Sequence, residues 1–297
     1  MKAKRIFACA LALTTLLATA ACGTSEPAPE EATEDSQKPV LLAVSFGTSY
    51  NDSRDITIGA VENALQEAYP DYEVRRAFTS QIIIDILEER EGMEIDNVTE
   101  AMDRLVADGV TDVVIQPTHV MPGFEYDDVM NEIAAYEEQF DSFKVGAPLL
   151  TEDADFDQLV TILTEETADY NVEGTAIVFM GHGTEHDANV TYSTLQQKLT
   201  DAGYANYFIG TVEAAPTLDD VLAQVEASGA TKVVLLPLMI VAGDHANNDM
   251  AGDEEDSWKT AFLNAGYEVE CLIQGLGQYV GVQQMIVDHA GAAMAAE

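Results

Sequence analysis

Apolar positions along this chain fall into two alternating patterns. Short, β-branched runs occupy 40–46, 72–78, 111–117, 143–148, 175–180, 207–212, 232–240 and 267–274. Between them lie longer stretches with apolar residues three or four apart, at 55–68, 98–108, 126–138, 156–170, 192–202, 218–228, 257–265 and 279–294. The first pattern fits strands buried on both faces, and the second fits helices with one apolar side. Their regular alternation predicts an α/β fold of parallel sheets with helices on both faces.

The pattern also repeats. Val44-Ser45-Phe46-Gly47-Thr48 resembles Met180-Gly181-His182-Gly183-Thr184 at an offset of 136 residues. Val113-Val114-Ile115-Gln116-Pro117 resembles Val233-Val234-Leu235-Leu236-Pro237 at an offset of 120. Unequal offsets point to a duplicated fold with insertions rather than a short tandem repeat. The chain is therefore expected to form two similar doubly wound parallel-sheet lobes, 40–150 and 151–297, with a cleft between them.

The first 39 residues read differently. Residues 1–5 are basic, 6–21 are apolar, and Thr19-Ala20-Ala21-Cys22 follows. This is the layout of a signal peptide over 1–21, with an apolar run shorter than the roughly 20 residues of a membrane span. A cysteine directly after small residues looks like a bacterial lipoprotein processing site, which makes Cys22 the lipidated first residue. Residues 22–39 then form an acidic tether, rich in Glu, Pro, Ala and Thr. The expected location is outside the cytoplasmic membrane or in the periplasm, anchored through the lipid. With Cys9 inside the signal and Cys22 acylated, Cys271 has no disulfide partner and reads as an inert strand thiol.

Charge narrows the partners. The chain carries a formal −40, and removing residues 1–21, with Lys2, Lys4 and Arg5 and no acid, takes it to −43. Such a surface repels phosphate backbones, so nucleic acid is not an expected partner. The Gly275-Leu276-Gly277 turn lacks the third glycine of a dinucleotide fingerprint, and no phosphate-loop lysine or Gly-x-Ser-x-Gly elbow occurs. No organic cofactor is expected.

Ligands of open parallel sheets bind beyond the carboxyl ends of the strands. In the second half three metal-ligating residue types fall there: His182, Glu213 and His245, separated by 31 and 32 residues. That spacing is about one strand–helix unit, so successive units bring them to one sheet edge. Two imidazoles and a carboxylate suit borderline divalent ions, and three protein ligands leave coordination positions open. On the residues alone the alternative also stands, that these are three ordinary loop side chains.

At these positions the chain resembles the anaerobic sirohydrochlorin cobaltochelatases. The resemblance is carried by Phe179-Met180-Gly181-His182-Gly183, by Thr211-Val212-Glu213-Ala214-Ala215-Pro216, and by the long segment Pro237-Leu238-Met239-Ile240-Val241-Ala242-Gly243-Asp244-His245-Ala246-Asn247-Asn248-Asp249-Met250. Val44-Ser45-Phe46-Gly47-Thr48-Ser49-Tyr50 and Arg76-Ala77-Phe78-Thr79-Ser80 extend it into the first half. It implies a metal chelatase, a lyase acting on sirohydrochlorin in anaerobic cobalamin biosynthesis. Co²⁺ is then the substrate metal, with Fe²⁺, Ni²⁺ or Zn²⁺ as alternatives. It also implies that His182, Glu213 and His245 hold the metal and that His182 accepts a proton. Glu125, in Gly123-Phe124-Glu125-Tyr126, corresponds to an acidic cleft residue of the family that serves substrate or metal.

Around that assignment, Arg76 on the second strand is the candidate partner for a substrate carboxylate, with Arg75 and Arg54 nearby. His119, closing the third strand, is a candidate substrate contact. His186 reads as a solvated loop histidine and His289 as structural. A histidine cannot ligate a metal and accept a proton through one nitrogen at once, so either the ion leaves His182 as the proton arrives or the base lies elsewhere. The expected partners are a tetrapyrrole, the membrane through the N-terminal lipid and, in a homo-oligomer, further copies of the chain. The export signal also suits a different class of protein, a surface lipoprotein that binds metal, haem or a tetrapyrrole for uptake without turnover.

Overall fold

In the computed structural model, which describes residues 38–296, two four-stranded sheets run wholly parallel. The first contains β1 (Val40–Ser45), β2 (Glu73–Phe78), β3 (Asp112–Pro117) and β4 (Ser142–Val145), in the order β2-β1-β3-β4. The second contains β5 (Thr175–Gly181), β6 (Tyr207–Thr211), β7 (Lys232–Pro237) and β8 (Glu268–Cys271), in the order β6-β5-β7-β8. The two orders are the same, and the registers agree. Val44 lies level with Pro117 in one sheet and Met180 level with Pro237 in the other. In each, the order reverses beside the first strand, which opens a crevice at the carboxyl edge.

Ten helices accompany the strands among the described residues: α1 (Asn51–Ile56), α2 (Ile58–Ala68), α3 (Gln81–Glu91), α4 (Val98–Ala107), α5 (Phe124–Ile133), α6 (Asp153–Glu166), α7 (Val190–Asp201), α8 (Leu218–Ser228), α9 (Trp258–Asn264) and α10 (Val280–Ala295). Alternate residues of β1 serve different layers. Val40, Leu42 and Val44 pack with Met102 and Leu105 of α4. Leu41 and Ala43 turn to a core shared with Leu65 of α2 and Ile286 of α10. That core also takes in Ile177 and Phe179 of β5, so one apolar body runs through both halves. Val178 and Met180 face the other way, toward Val221 of α8 and Phe262 of α9.

Four details differ from the sequence expectations. The last helix does not stay with the second lobe: α10 packs against α2, β3 and β4 of the first. Its buried residues Val282, Met285, Ile286, Val287, Ala290 and Ala293 lie on more than one side, as a helix enclosed between layers requires. The expected helix over 55–68 is two helices, broken at Thr57, whose hydroxyl donates to the Ser53 carbonyl at 2.5 Å. The strand expected over 232–240 ends at Pro237. Finally, the isoleucine-rich run at 82–86, which no expected element covers, belongs to α3; Ser80 accepts from Ile83 N at its start, and Gly92 closes it at φ +64°.

The signal peptide at 1–21, Cys22 and the tether as far as residue 37 lie outside the described residues. No helix among the described residues is long and apolar enough to cross a membrane.

Candidate metal and substrate site

His182 follows β5 directly and is held from two sides. Glu213 N donates to the His182 carbonyl at 2.9 Å, and Gly183 N donates to the Tyr192 hydroxyl at 3.1 Å. Gly183 has φ +87°, and a Cβ there would lie 2.8 Å from Ala214 N and from Thr211 Cβ. Only glycine lets this turn press onto the end of β6. Glu213 stands two residues past β6. His245 stands eight residues past β7 and heads a wide turn over Ala246–Met250. The Asn247 side chain fixes its loop by donating to Gly243 O at 2.7 Å and Ala242 O at 3.2 Å.

The three expected ligands meet. One donor atom from each of His182, Glu213 and His245 lies within 4.8 Å of the other two. His182 Nε2 is 3.8 Å from Glu213 Oε1, and the two imidazole rings stand edge to face with centroids 4.8 Å apart. His182 Nδ1 is 2.7 Å from Gly183 O, an atom that only accepts, so this nitrogen carries the proton. His245 Nδ1 is 2.7 Å from Asp249 Oδ2 and donates to that carboxylate. Both rings therefore present Nε2 with its lone pair free, the arrangement that orients and strengthens imidazole ligands. His182 and Glu213 are exposed while His245 is half-buried, which leaves one side of the trio open to an incoming molecule.

That side is a cavity of about 590 Å³ lined by both halves of the chain. From the first half come Glu125, in the opening turn of α5, and His119, two residues past β3. Both were expected in the cleft, and both line it. Burial raises the Glu125 carboxyl above its usual range; nearby His182 pulls it back and Asp128 adds to the rise. His119 is only 9 % exposed, and neither ring nitrogen has a hydrogen-bond partner. Burial pushes its pKa down to about 4, so it is neutral at neutral pH. Its Nε2 lies 3.8 Å from Glu125 Oε2, beyond a hydrogen bond.

Arg76 is a correction. Its guanidinium is spent on Glu62, donating twice at 2.6 and 2.5 Å. It lines a separate depression of about 610 Å³ with Arg75 and Arg104, away from the metal trio. Each arginine in that depression already faces a carboxylate: Glu73 and Asp108 for Arg75, Glu62 for Arg76, Asp96 for Arg104. Arg54 is buried against Asn51, Asp55 and Glu91. Among the described residues no lysine or arginine lines the cleft, whereas Glu125, Glu185, Glu213 and Asp244 do.

The remaining histidines divide as their surroundings dictate. His186 is not simply solvated: Nδ1 accepts from Ala188 N at 3.0 Å, leaving Nε2 to donate toward Asp127 of α5 at 3.3 Å, and Phe124 packs edge-on against its ring. This joins the two halves. His289 faces Ala147 O and Asp155 and is structural. Cys271 is a free, half-buried thiol whose pKa burial raises. Asp249 and Tyr192 are the supporting residues that sequence reasoning missed. The four-residue step from His245 to Asp249 on a helical turn was a usable signal; for Tyr192 there was none.

Two like parallel lobes facing an open two-histidine, one-carboxylate site define a protein of the chelatase class. Solved structures agree in fold: SirB from Bacillus subtilis with Fe³⁺ superposes with a TM-score of 0.61 at 15% identity, over 87% of this chain and 96% of that one. CbiX, described as the terminal enzyme of siroheme biosynthesis in denitrifying bacteria, gives a TM-score of 0.51 at 17% identity, over 86% of this chain and 99% of that one. Residues 39–295 match the family model "Cobalt chelatase (CbiK)", and the chain belongs to that family. It is 38% identical over 257 residues to the sirohydrochlorin cobaltochelatase of Salmonella typhimurium, covering 86% of this chain and 97% of that protein. It is 32% identical over 270 residues to sirohydrochlorin cobaltochelatase CbiKC of Nitratidesulfovibrio vulgaris, covering 90% and 94%.

Proposed function

We propose that this protein inserts Co²⁺ into sirohydrochlorin, with His182, Glu213 and His245 holding the ion before transfer. The observation that carries the reading is the meeting of those three side chains with both Nδ1 atoms already engaged. Family membership and the two sirohydrochlorin cobaltochelatase relatives support the reaction and the metal. Neutral imidazoles and one carboxylate hold a borderline ion without the tight grip of thiolates, so release into a macrocycle competes with retention. Fe²⁺, Ni²⁺ and Zn²⁺ satisfy the same donors. The macrocycle would lie in the cavity between the lobes, where His119 and Glu125 reach it from the first half.

The basic start, the apolar run and Cys22 support export and a lipid anchor, with the acidic tether carrying the catalytic body away from the membrane. The same signal supports a second reading, capture of metal or tetrapyrrole for uptake without turnover. Anaerobic incubation with sirohydrochlorin and Co²⁺, followed by absorption, separates the two. Insertion well above the uncatalysed rate that disappears in His182→Ala/His245→Ala supports the chelatase. Spectral binding without turnover, whatever metal is supplied, would replace it with the uptake reading. Loss of fatty-acid labelling in Cys22→Ser tests the anchor.

A further inference from the structure

The three metal ligands are not held alike. His182 and Glu213 are fixed within their own lobe: Val212 N donates to Gly181 O at 3.0 Å, Glu213 N to His182 O at 2.9 Å, and Gly183 N to the Tyr192 hydroxyl at 3.1 Å. His245 instead ends a run of eight residues after β7, with no strand to define its place. Leu276 N and Gly277 N hold the start of that run, donating to Met239 O at 2.8 Å and Ile240 O at 3.0 Å. What holds the rest comes from the other lobe.

Each of the four residues before His245 meets the first lobe. Val241 packs on the first-lobe cluster of Ile58, Phe78, Ile84 and Leu87. The buried Ala242 donates its N–H to Ser53 Oγ of α1 at 3.0 Å. Gly243 sits against Thr48, where a Cβ would lie 3.2 Å from Oγ1. Asp244 Oδ1 accepts from the Tyr50 hydroxyl at 3.3 Å. The Ser53 bond matters most, because a buried backbone N–H needs an acceptor and Ala242 N has no other among the described residues. Ser53 is itself anchored: its carbonyl accepts from Thr57 N at 3.0 Å and from the Thr57 hydroxyl at 2.5 Å, at the break between α1 and α2.

Resting on the reading of His182, Glu213 and His245 as the metal site, we propose that Ser53 is a positioning residue for His245, assisted by Tyr50. The second lobe sets two of the metal ligands, and the first lobe sets the third from behind. Asp249 turns the His245 ring, whereas Ser53 places the backbone from which that ring extends. The grip on the ion therefore depends on how the two lobes stand across the cleft.

The test uses the full protein with Co²⁺ alone, read by calorimetry and by proton NMR of the paramagnetic complex. Ser53→Ala should weaken Co²⁺ binding about tenfold, the low end for losing a group that supports a metal ligand. Tyr50→Phe should weaken it about threefold, the scale of one exposed neutral hydrogen bond. Both ligating rings keep an Nδ1–H, so two metal-shifted exchangeable protons are expected, and His245→Ala assigns them. In Ser53→Ala the His245 signal should move while the His182 signal stays. Tyr207→Phe deletes a buried hydroxyl bond to Thr167 at the far end of β6; it should lower Tm yet leave both signals in place and the Co²⁺ Kd within about twofold. An unchanged Kd and His245 signal in Ser53→Ala would overturn the proposal. So would an equal loss of affinity in Tyr207→Phe, or the two imidazole signals moving together, since either marks general softening. Should Ser53→Ala not fold, Tyr50→Phe decides by the same two signals. If Co²⁺ binding survives in His182→Ala/His245→Ala, the metal-site reading fails first; if the trio binds and Ser53→Ala matches wild type, only this inference fails.

Discussion

Glu125 and His245 occupy the same place in two copies of one fold, each eight residues beyond the proline, Pro117 or Pro237, that closes the third strand of its sheet. Phe46 and His182 are paired in the same way, at the offset of 136 that relates the first strands. One copy therefore carries an apolar ring and a carboxylate where the other carries two imidazoles. Duplication supplied the scaffold, and divergence at matching positions gave the cleft two chemically different walls.

The Asp249 carboxylate is expected to set the orientation of His245. Asp249→Ala should weaken Co²⁺ binding by roughly 10–100-fold, the usual cost of losing a metal-histidine's outer partner, while the fold persists. Calorimetric titration of Co²⁺ into wild type and variant checks this; equal affinities would show that the bond at 2.7 Å is incidental to the site.

Gly183→Ala should damage both site and fold. The residue sits at φ +87° with Ala214 N and Thr211 Cβ 2.8 Å from where a Cβ would stand. The strain is about 1–3 kcal/mol before any clash is relieved. A lowered Tm together with weakened metal binding is the expected pair of results; retention of both would mean that the turn adjusts freely.

Arg76→Gln is expected to lower stability by about 1 kcal/mol, because a half-buried bidentate pair with Glu62 is lost, yet leave the KM for sirohydrochlorin within about twofold. A large rise in KM would return Arg76 to the substrate and overrule its observed partner.

Stability should fall in mildly acidic solution through His119. Its pKa is about 6.5 in an unfolded chain and about 4 in the fold, so the unfolded state binds the extra proton between those values. The contribution is whole above pH 6.5 and drains away as pH falls toward 4, amounting to roughly 3 kcal/mol across the window. His119→Leu, which also removes two unpartnered buried nitrogens, should flatten the decline of Tm between pH 7 and 4.5. Parallel curves for the two proteins would show that His119 charges without penalty.

The cleft's one-sided charge makes a kinetic prediction. With four carboxylates and, among the described residues, no lysine or arginine on its walls, it repels a polycarboxylate guest. Raising the ionic strength screens that repulsion, so kcat/KM for sirohydrochlorin should increase with moderate salt. A steady decrease would indicate capture by cations.

Much of this was legible in the sequence because it rests on periodicity and on strand ends. The alternation of runs fixed eight strands to within a few residues, and the sheet-edge rule placed His182, Glu213 and His245 together. What escaped depended on partners distant in sequence. Arg76 was a candidate for a substrate carboxylate because nothing local shows that Glu62, 14 residues earlier on α2, reaches it on β2. The isoleucines of α3 favour strand by propensity, and the Ser80 cap and Gly92 stop override them. Asp249 was in view as part of a motif but invisible as a hydrogen-bond partner until the turn that brings it beneath His245 was known.

The helix that crosses from the second lobe to the first imposes an order on assembly. A ribosome delivers β1 to β4 long before α10, so the emerging first sheet has to wait with Leu41, Ala43 and Val114 still lacking the final layer of the core they share with Ile286. Neither half of the gene, made alone, encodes a finished lobe. A chain stopped anywhere before α10 would leave an apolar wound on the opposite half of the molecule from the break.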